Sequence, residues 1–248
     1  MKKFVPITTA DGSRTLYDVQ KDIHFRSLDG ARSESAYVFY QGSGLPTQPA
    51  PYTILELGLG TGLNLLFTLD QLAKSAPEAA VDYHVVESDA LSPEIFLDLE
   101  HTRWLHDPRW NDLLAQGLSQ LQARAEILTL AYKQARITIY PQRWQDCRLP
   151  AELQVQAIYH DPFGPEDNPD CWTVDCFRWS SQHLSDQGRL VTYAASTQMR
   201  RAMVQAGLVI ASLPGSGRKR EMTVAARQES ALAAEAKILR NRRFYAAD

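Results

Sequence analysis

The sequence predicts an α/β fold of Rossmann-like type: a seven-stranded, mostly parallel sheet with helices on both faces. Three observations carry this expectation. From Tyr52 onward, short apolar runs alternate with segments of helical spacing, the pattern of strand–helix–strand units. The first run ends in glycines that open a helix, Gly58-Leu59-Gly60-Thr61-Gly62. The last two strands are joined through Pro214-Gly215-Ser216-Gly217 with no helix between them, so they close the sheet as an antiparallel hairpin.

The elements follow in order. Residues 1–50 read as a β-rich extension packed on the main domain, which occupies residues 51–248. The turn signals Asp11-Gly12-Ser13, Asp29-Gly30 and Gly42-Ser43-Gly44 separate short β-type pieces there, such as Ser35 to Tyr40, and predict a small antiparallel ribbon. In the main domain the strands are Thr53–Leu57, Val81–Val86, Arg136–Tyr140, Ala157–Tyr159, Gly188–Tyr193, Leu208–Leu213 and Met222–Ala226. Helices are expected over Leu63–Leu72, after Ser92-Pro93-Glu94, over Val174–Leu184, over Gln198–Ala206 and over Ser230–Arg240. Serine followed by proline is a helix-start signal. Trp110–Leu130 reads as a helical insertion longer than a crossover needs.

Composition narrows the class. The chain has 248 residues, 44% of them hydrophobic and 22% charged, which excludes a disordered or collagen-like chain. No apolar run approaches a membrane span, and the N-terminus lacks a signal-peptide core. Three cysteines make neither a disulfide framework nor a zinc pattern. A cytoplasmic protein without a metal is expected. The net charge of −3 hides a gradient. Residues 200–248 carry ten basic residues against four acids, a local charge of +6, while the first 199 carry 16 against 25, or −9. A basic end on an acidic body is either a solvated face or a footprint for a polyanion.

The glycine turn is the most informative segment. Its glycines permit positive φ and close backbone approach, and the following helix presents N–H groups to a ligand. A dinucleotide site prefers G-x-G-x-x-G, but Leu63 occupies the third position. The spacing is G-x-G-x-G, with Glu56 two residues before Gly58. This resembles motif I of the class I S-adenosylmethionine-dependent methyltransferases. Glu87 ends the next strand, where such enzymes bind ribose hydroxyls. Asp146, in the segment after the third strand, is the acid nearest the position for adenine. Asp161 follows the fourth strand, the usual place for the methyl acceptor in this fold. An amine must lose a proton before its lone pair is available, and a carboxylate can accept that proton. His160 and the cysteines read as structural.

Longer matches identify a family. The stretch from Asp161 to Trp172 resembles the Asp-Gly-Phe-Ala-Pro-x-x-Asn-Pro-Asp-x-Trp signature of the MnmC/MnmD methyltransferases. Gly215 to Met222 is similar to their Gly-Phe-Gly-Arg-Lys-Arg-Glu-Met, and Glu56 to Asn64 to their Glu-x-Gly-x-Gly-Thr-Gly-Leu-Asn. The N-terminal stretches Thr9 to Leu16 and Ser33 to Phe39 resemble the stand-alone MnmD type. Pro162 departs from the family's small residue, and Ser216 from a common aromatic.

The resemblance, which spans about residues 7–226, implies S-adenosylmethionine-dependent N-methylation of 5-aminomethyluridine, with or without 2-thiolation, at the tRNA wobble position. It implies Asp161 as the catalytic residue. Glu56, Gly58, Gly60, Thr61, Gly62, Asn64, Glu87 and Asp146 are then expected on the cofactor. Phe163 and Trp172 would receive the base, and Arg218, Lys219 and Arg220 would hold phosphates of the anticodon stem-loop. No FAD is expected, because a chain of 248 residues lacks room for the flavin domain of MnmC; a separate enzyme would supply the aminomethyl precursor. The residues by themselves leave open a methyltransferase acting on another amine, or a non-catalytic RNA-binding relative.

Overall fold

The computed structural model describes residues 3–245. The outermost residues of the two expected segments, 1–2 and 246–248, lie outside the described residues. The chain begins with a three-stranded antiparallel sheet, β1 (Phe4–Thr8), β2 (Arg14–Asp18) and β3 (Ile23–His24). The expected N-terminal ribbon is therefore present. Ser35–Tyr40 is not part of it. A short helix α1 (Ala31–Glu34) runs into π-helical turns at Ser35–Gln41.

The cause of that difference is tertiary. The first free N–H groups of α1 are taken by side chains of the β1–β2 turn. Ala31 N–H donates to Thr9 Oγ1 at 3.2 Å, Arg32 N–H to Ser13 Oγ at 3.0 Å, and Ser33 N–H to Asp11 Oδ2 at 2.8 Å. A helix start satisfied from some twenty residues away in sequence leaves no local capping signal.

The large sheet holds nine strands. They are β4 (Tyr52–Leu57), β5 (Val81–Val86), β6 (Leu128–Tyr132), β7 (Ala135–Tyr140), β8 (Val155–His160), β9 (Leu184–Thr192), β10 (Val209–Pro214), β11 (Glu221–Ala226) and β12 (Lys237–Ile238). Their order is β12-β10-β11-β9-β8-β4-β5-β7-β6. The central pairs β7–β5, β5–β4, β4–β8 and β8–β9 are parallel, and β11 lies antiparallel between β9 and β10. The seven expected strands form the middle, and β6 and β12 are added at the two edges.

Both additions replace expected helix. Helix α4 (Arg109–Ala123) stops well short of Leu130. The chain turns at Arg124–Glu126 and returns as β6, hairpinned to β7. The alanine-rich C-terminal segment, a good helix former by propensity, makes a 3₁₀ turn at Glu229–Ala231 and then β12. There the edge of β10 offers open ladder groups, which Lys237 and Ile238 pair.

The remaining helices are α2 (Leu63–Ser75), α3 (Pro93–Leu97), α5 (Val174–Ser181), α6 (Thr197–Gln205) and α7 (Arg242–Tyr245). Ser92, Thr173 and Ser196 cap α3, α5 and α6 with their side-chain oxygens. Side chains alternate across the sheet. Ile54 and Tyr159 enter a core formed with α2 and α4, while Leu55, Leu57 and Ile158 enter a second core with α5 and α6. Two apolar layers on one sheet are what a parallel arrangement requires.

Gly62 caps α2 at φ +72°, and a Cβ there would lie 2.7 Å from Leu114 Cδ2 and 3.2 Å from Phe96 Cε2. Gly62→Ala is therefore expected to lower stability by about 1–3 kcal/mol, read as a lower urea midpoint with an unchanged slope.

Candidate active site

The carboxyl ends of β4, β5, β7 and β8 open on a cleft of about 760 Å³. This is the edge where an open α/β sheet places its ligands, and the volume suits a cofactor-sized molecule. Its floor begins at the glycine turn. Gly58, Gly60 and Gly62 all have positive φ. A Cβ on Gly58 would sit 2.9 Å from the Asp161 carbonyl oxygen, so glycine lets the loops after β4 and β8 lie side by side.

Glu87, just beyond β5, faces this turn. Its Oε2 accepts from Leu59 N–H at 2.9 Å and Gly60 N–H at 3.3 Å, and its Oε1 accepts from Asp89 N–H at 2.7 Å. Thr61 also borders the cleft. Its carbonyl accepts from buried His101 Nε2 at 2.9 Å. The Thr61 hydroxyl and the Gln145 amide oxygen belong to cleft-lining residues and are buried without a hydrogen-bond partner. Buried polar atoms without partners are rare in folded proteins. Two of them beside a glycine turn and a carboxylate fit a polar nucleoside ligand.

Asp161 lines the same cleft as Glu87. Its side chain is only 9% exposed. Arg26 Nη2 is 2.5 Å from Asp161 Oδ2, and Asn64 Nδ2 donates to the same oxygen at 2.9 Å. The other Asn64 N–H donates to Glu56 Oε1 at 2.9 Å, and Tyr83 donates its hydroxyl to Glu56 Oε2 at 2.9 Å. Burial pushes the Asp161 carboxyl up to about 7, against the pull of Arg26. Burial, then the neighbouring Asp161, pushes Glu56 up to about 8.

A second ion pair lies nearby. Lys219 Nζ is 2.7 Å from Glu34 Oε1 and 4.3 Å from the centre of the Tyr193 ring. Tyr193 in turn donates its hydroxyl to the Pro162 carbonyl at 2.9 Å. Phe163 packs edge-to-face on Phe25 of the N-terminal segment, with ring centres 4.8 Å apart. Lys21, Phe25 and Arg26 thus wall the cleft from the side opposite the sheet.

The structure brings Gly58, Gly60, Thr61, Glu87, Asp161, Phe163 and Lys219 together around the cleft. It separates the others from it. Asp146 is exposed in the turn after β7, and Gln142 to Gln145 border the cleft in its place. Trp172 is buried against His160 and Phe177, and its indole N–H donates to the Phe163 carbonyl at 2.8 Å. It is buried under the loop and does not line the cleft. Glu56 and Asn64 lie beneath the floor, and Gly62 behind it at the start of α2. Arg218 and Arg220 are exposed on the β10–β11 turn, away from the cleft lining. Phe25 and Arg26 leave no more than an aromatic beside a basic residue in a turn-rich stretch, and Glu34 lies in the family-like stretch Ser33 to Phe39 without a sign of its place at the cleft.

Comparison with known proteins bears on the family and the fold. Residues 106–228 match a family of S-adenosyl-L-methionine-dependent methyltransferases. A relative from Nitrosospira multiformis, the tRNA 5-methylaminomethyl-2-thiouridine biosynthesis bifunctional protein MnmC, is 30% identical over 223 residues, covering 81% of this chain and 33% of that protein. MnmC of Cupriavidus metallidurans is 32% identical over 236 residues, covering 89% of this chain and 33% of its own length. The chain spans about a third of the length of these curated relatives. The crystal structure of MNMC2 from Aquifex aeolicus superposes with a TM-score of 0.72 at 22% identity, covering 100% of this chain and 82% of that one. It shares the fold.

The buried acids set a pH dependence. Asp161 and Glu56 have folded values near 7 and 8, above their ordinary values of 3.8 and 4.5. The folded state therefore binds more protons than the unfolded chain, and stability falls as pH rises toward 8. Burial holds His101 down to about 4 and His160 to about 3. These histidines act in the opposite sense, but only below their ordinary value of 6.5. The unfolding free energy is therefore expected to decline between pH 6.5 and 8, by at most about 1.4 kcal/mol per pH unit for each acid. Glu56→Gln should flatten that decline, as measured by urea unfolding across the pH range.

Proposed function

We propose that this chain is an S-adenosyl-L-methionine-dependent methyltransferase, a reading supported by the family match over residues 106–228, and that it methylates the aminomethyl nitrogen of 5-aminomethyluridine, with or without 2-thiolation, at the tRNA wobble position. The observation that carries this reading is Asp161. It is a buried carboxylate in the loop after β8, on the same cleft as the glycine turn and Glu87. The MnmC relatives carry tRNA 5-methylaminomethyl-2-thiouridine biosynthesis in their name.

Bound S-adenosylmethionine supplies an electrophilic methyl group. The residues here that would hold it are the turn at Gly58 and Gly60, the hydroxyl of Thr61, the carboxylate of Glu87 and the segment 142–145. Asp161 does the proton work. The substrate reaches the cleft largely as an ammonium, whose nitrogen has no free lone pair. A carboxylate near neutrality accepts that proton and keeps a hydrogen bond that aims the nitrogen. Phe163 and Phe25 offer an aromatic wall for a base drawn out of the anticodon stack.

Arg218 and Arg220 supply the positive rim for stem phosphates in this reading, while Lys219 serves the cleft. In this reading the protein acts in the cytoplasm, the methyl transfer itself uses no flavin, and a preceding reaction supplies the aminomethyl precursor.

Incubation with labelled S-adenosylmethionine and tRNA carrying 5-aminomethyluridine should label the wobble nucleoside. No label, where a known wobble methyltransferase labels the same tRNA, rejects the reading. Asp161→Asn should lose about 10²–10⁴-fold in kcat, with the cofactor Kd changed less than about threefold by calorimetry. Replacing both Arg218 and Arg220 by glutamate should weaken tRNA binding and reduce the slope of log K against log salt by about two. An unchanged slope removes both residues from the interface.

A further inference from the structure

Glu56 and Asn64 occupy motif positions at which cofactor contacts are expected, yet neither borders the cleft. Glu56 is fully buried and Asn64 is 1% exposed. We propose that Glu56 and Asn64 are positioning residues for Asp161: through Asn64 they fix Asp161 Oδ2 and leave Oδ1 as the oxygen that meets the substrate amine. The proposal rests on the reading of Asp161 as the partner of that amine.

The geometry of Asn64 carries the argument. One amide nitrogen gives its two hydrogens to two carboxyl groups, at 2.9 Å each. The amide oxygen is buried with no partner. Turning the amide over would set that oxygen against both carboxyl groups, so the side chain is held for its donors at the expense of its acceptor. Glu56 is itself fixed by Tyr83 on its other oxygen. The chain Tyr83–Glu56–Asn64 thus runs from β5 and β4 to Asp161 through α2 without touching the cleft.

Arg26 completes the clamp from the N-terminal segment, on the same Oδ2. Among the described residues none donates to Oδ1. The other charged or titratable groups facing Asp161 are Glu34 of α1, Lys219 of the hairpin turn and Tyr193 beyond β9. The Asn64 hydrogen bond favours the ionised form of Asp161, opposing the burial that raises it.

The test uses the cofactor-free protein with aspartate carboxyl carbons labelled, so that Asp161 is titrated by carbon NMR without any methyl transfer. In Asn64→Leu the Asp161 midpoint should rise by at least about half a pH unit. In turnover with the aminomethyl substrate, kcat should fall at least about tenfold with its acid limb moved the same way. The S-adenosylmethionine Kd should change less than about threefold. An unmoved Asp161 midpoint, or a tenfold loss of cofactor affinity, overturns the proposal.

Glu56→Gln guards against a variant that fails to fold. Glutamine keeps an acceptor for Asn64 and offers a donor to the Tyr83 oxygen, so the variant should fold and keep the S-adenosylmethionine Kd within about threefold of wild type. A tenfold loss of cofactor affinity in that variant also overturns the assignment. Because the carbon titration needs no substrate, failure to methylate any uridine would strike the proposed function and leave the positioning of Asp161 separately decided.

Discussion

The ion pair between Arg26 and Asp161 is the constraint on which the site depends. Both side chains are almost wholly removed from water, and they meet at 2.5 Å. A buried pair of this kind gains little net stability, but removing one partner leaves an uncompensated charge at a cost of about 3–5 kcal/mol. The pair therefore ties two parts of the chain 135 residues apart in sequence. Asp161 comes from the end of β8, in the middle of the large sheet, and Arg26 from the segment after β3. The N-terminal sheet is not an appendage of the fold. It delivers the countercharge without which the carboxylate at the centre of the cleft would be buried alone.

Several contacts hold that delivery in place. The side chains of Thr9, Asp11 and Ser13 cap α1, and α1 carries Glu34. Glu34 then binds Lys219 on the hairpin turn, while Asp29 accepts from the backbone N–H of Arg218. The N-terminal segment is thus anchored at the reacting centre and again at the far hairpin. The carboxyl groups of Asp161 and Glu56 lie near neutrality because burial outweighs the single guanidinium close to them. A shifted acid in a cleft is a frequent mark of a functional site. Here the shift has a structural cause that can be traced to named groups.

What the sequence disclosed follows from what acts locally. The parallel strands, the glycine turn, Glu87 and Asp161 are legible because strand periodicity, positive-φ glycines and strand-end acids are short-range signals. The misreadings share a different origin. Ser35–Gln41 is helical because a turn some twenty residues earlier caps it. Lys237 and Ile238 form a strand because β10 offers an edge. Trp172 sits in the family signature, but its indole N–H is needed by the Phe163 carbonyl. Asp146 has the right chemistry, but its turn exposes it. Arg26 is silent in the sequence because nothing local distinguishes it from a surface arginine. Only the closure of the N-terminal sheet over the cleft gives it a role.

The charge gradient shows how far composition alone can carry a functional argument. The basic end of the chain suggests a uniform electrostatic footprint, but the fold uses much of that charge internally. Arg200 is 2% exposed and bonds Glu221 and Thr223. Lys219 is tied to Glu34, Arg240 to Glu229, and Arg227 donates to the Leu184 carbonyl. Cations held in such contacts attract a polyanion less than their number implies, because an acid accompanies most of them. The side chain of Arg218 is 93% exposed even with Asp29 3.3 Å away, and Arg220 on the same turn is exposed too. The hairpin that carries both also places Lys219 in the cleft. Any phosphate contact made there is therefore coupled to the wall of the site, and the relevant electrostatic feature is one turn positioned by Glu34 and Asp29, in place of a tail of positive charge.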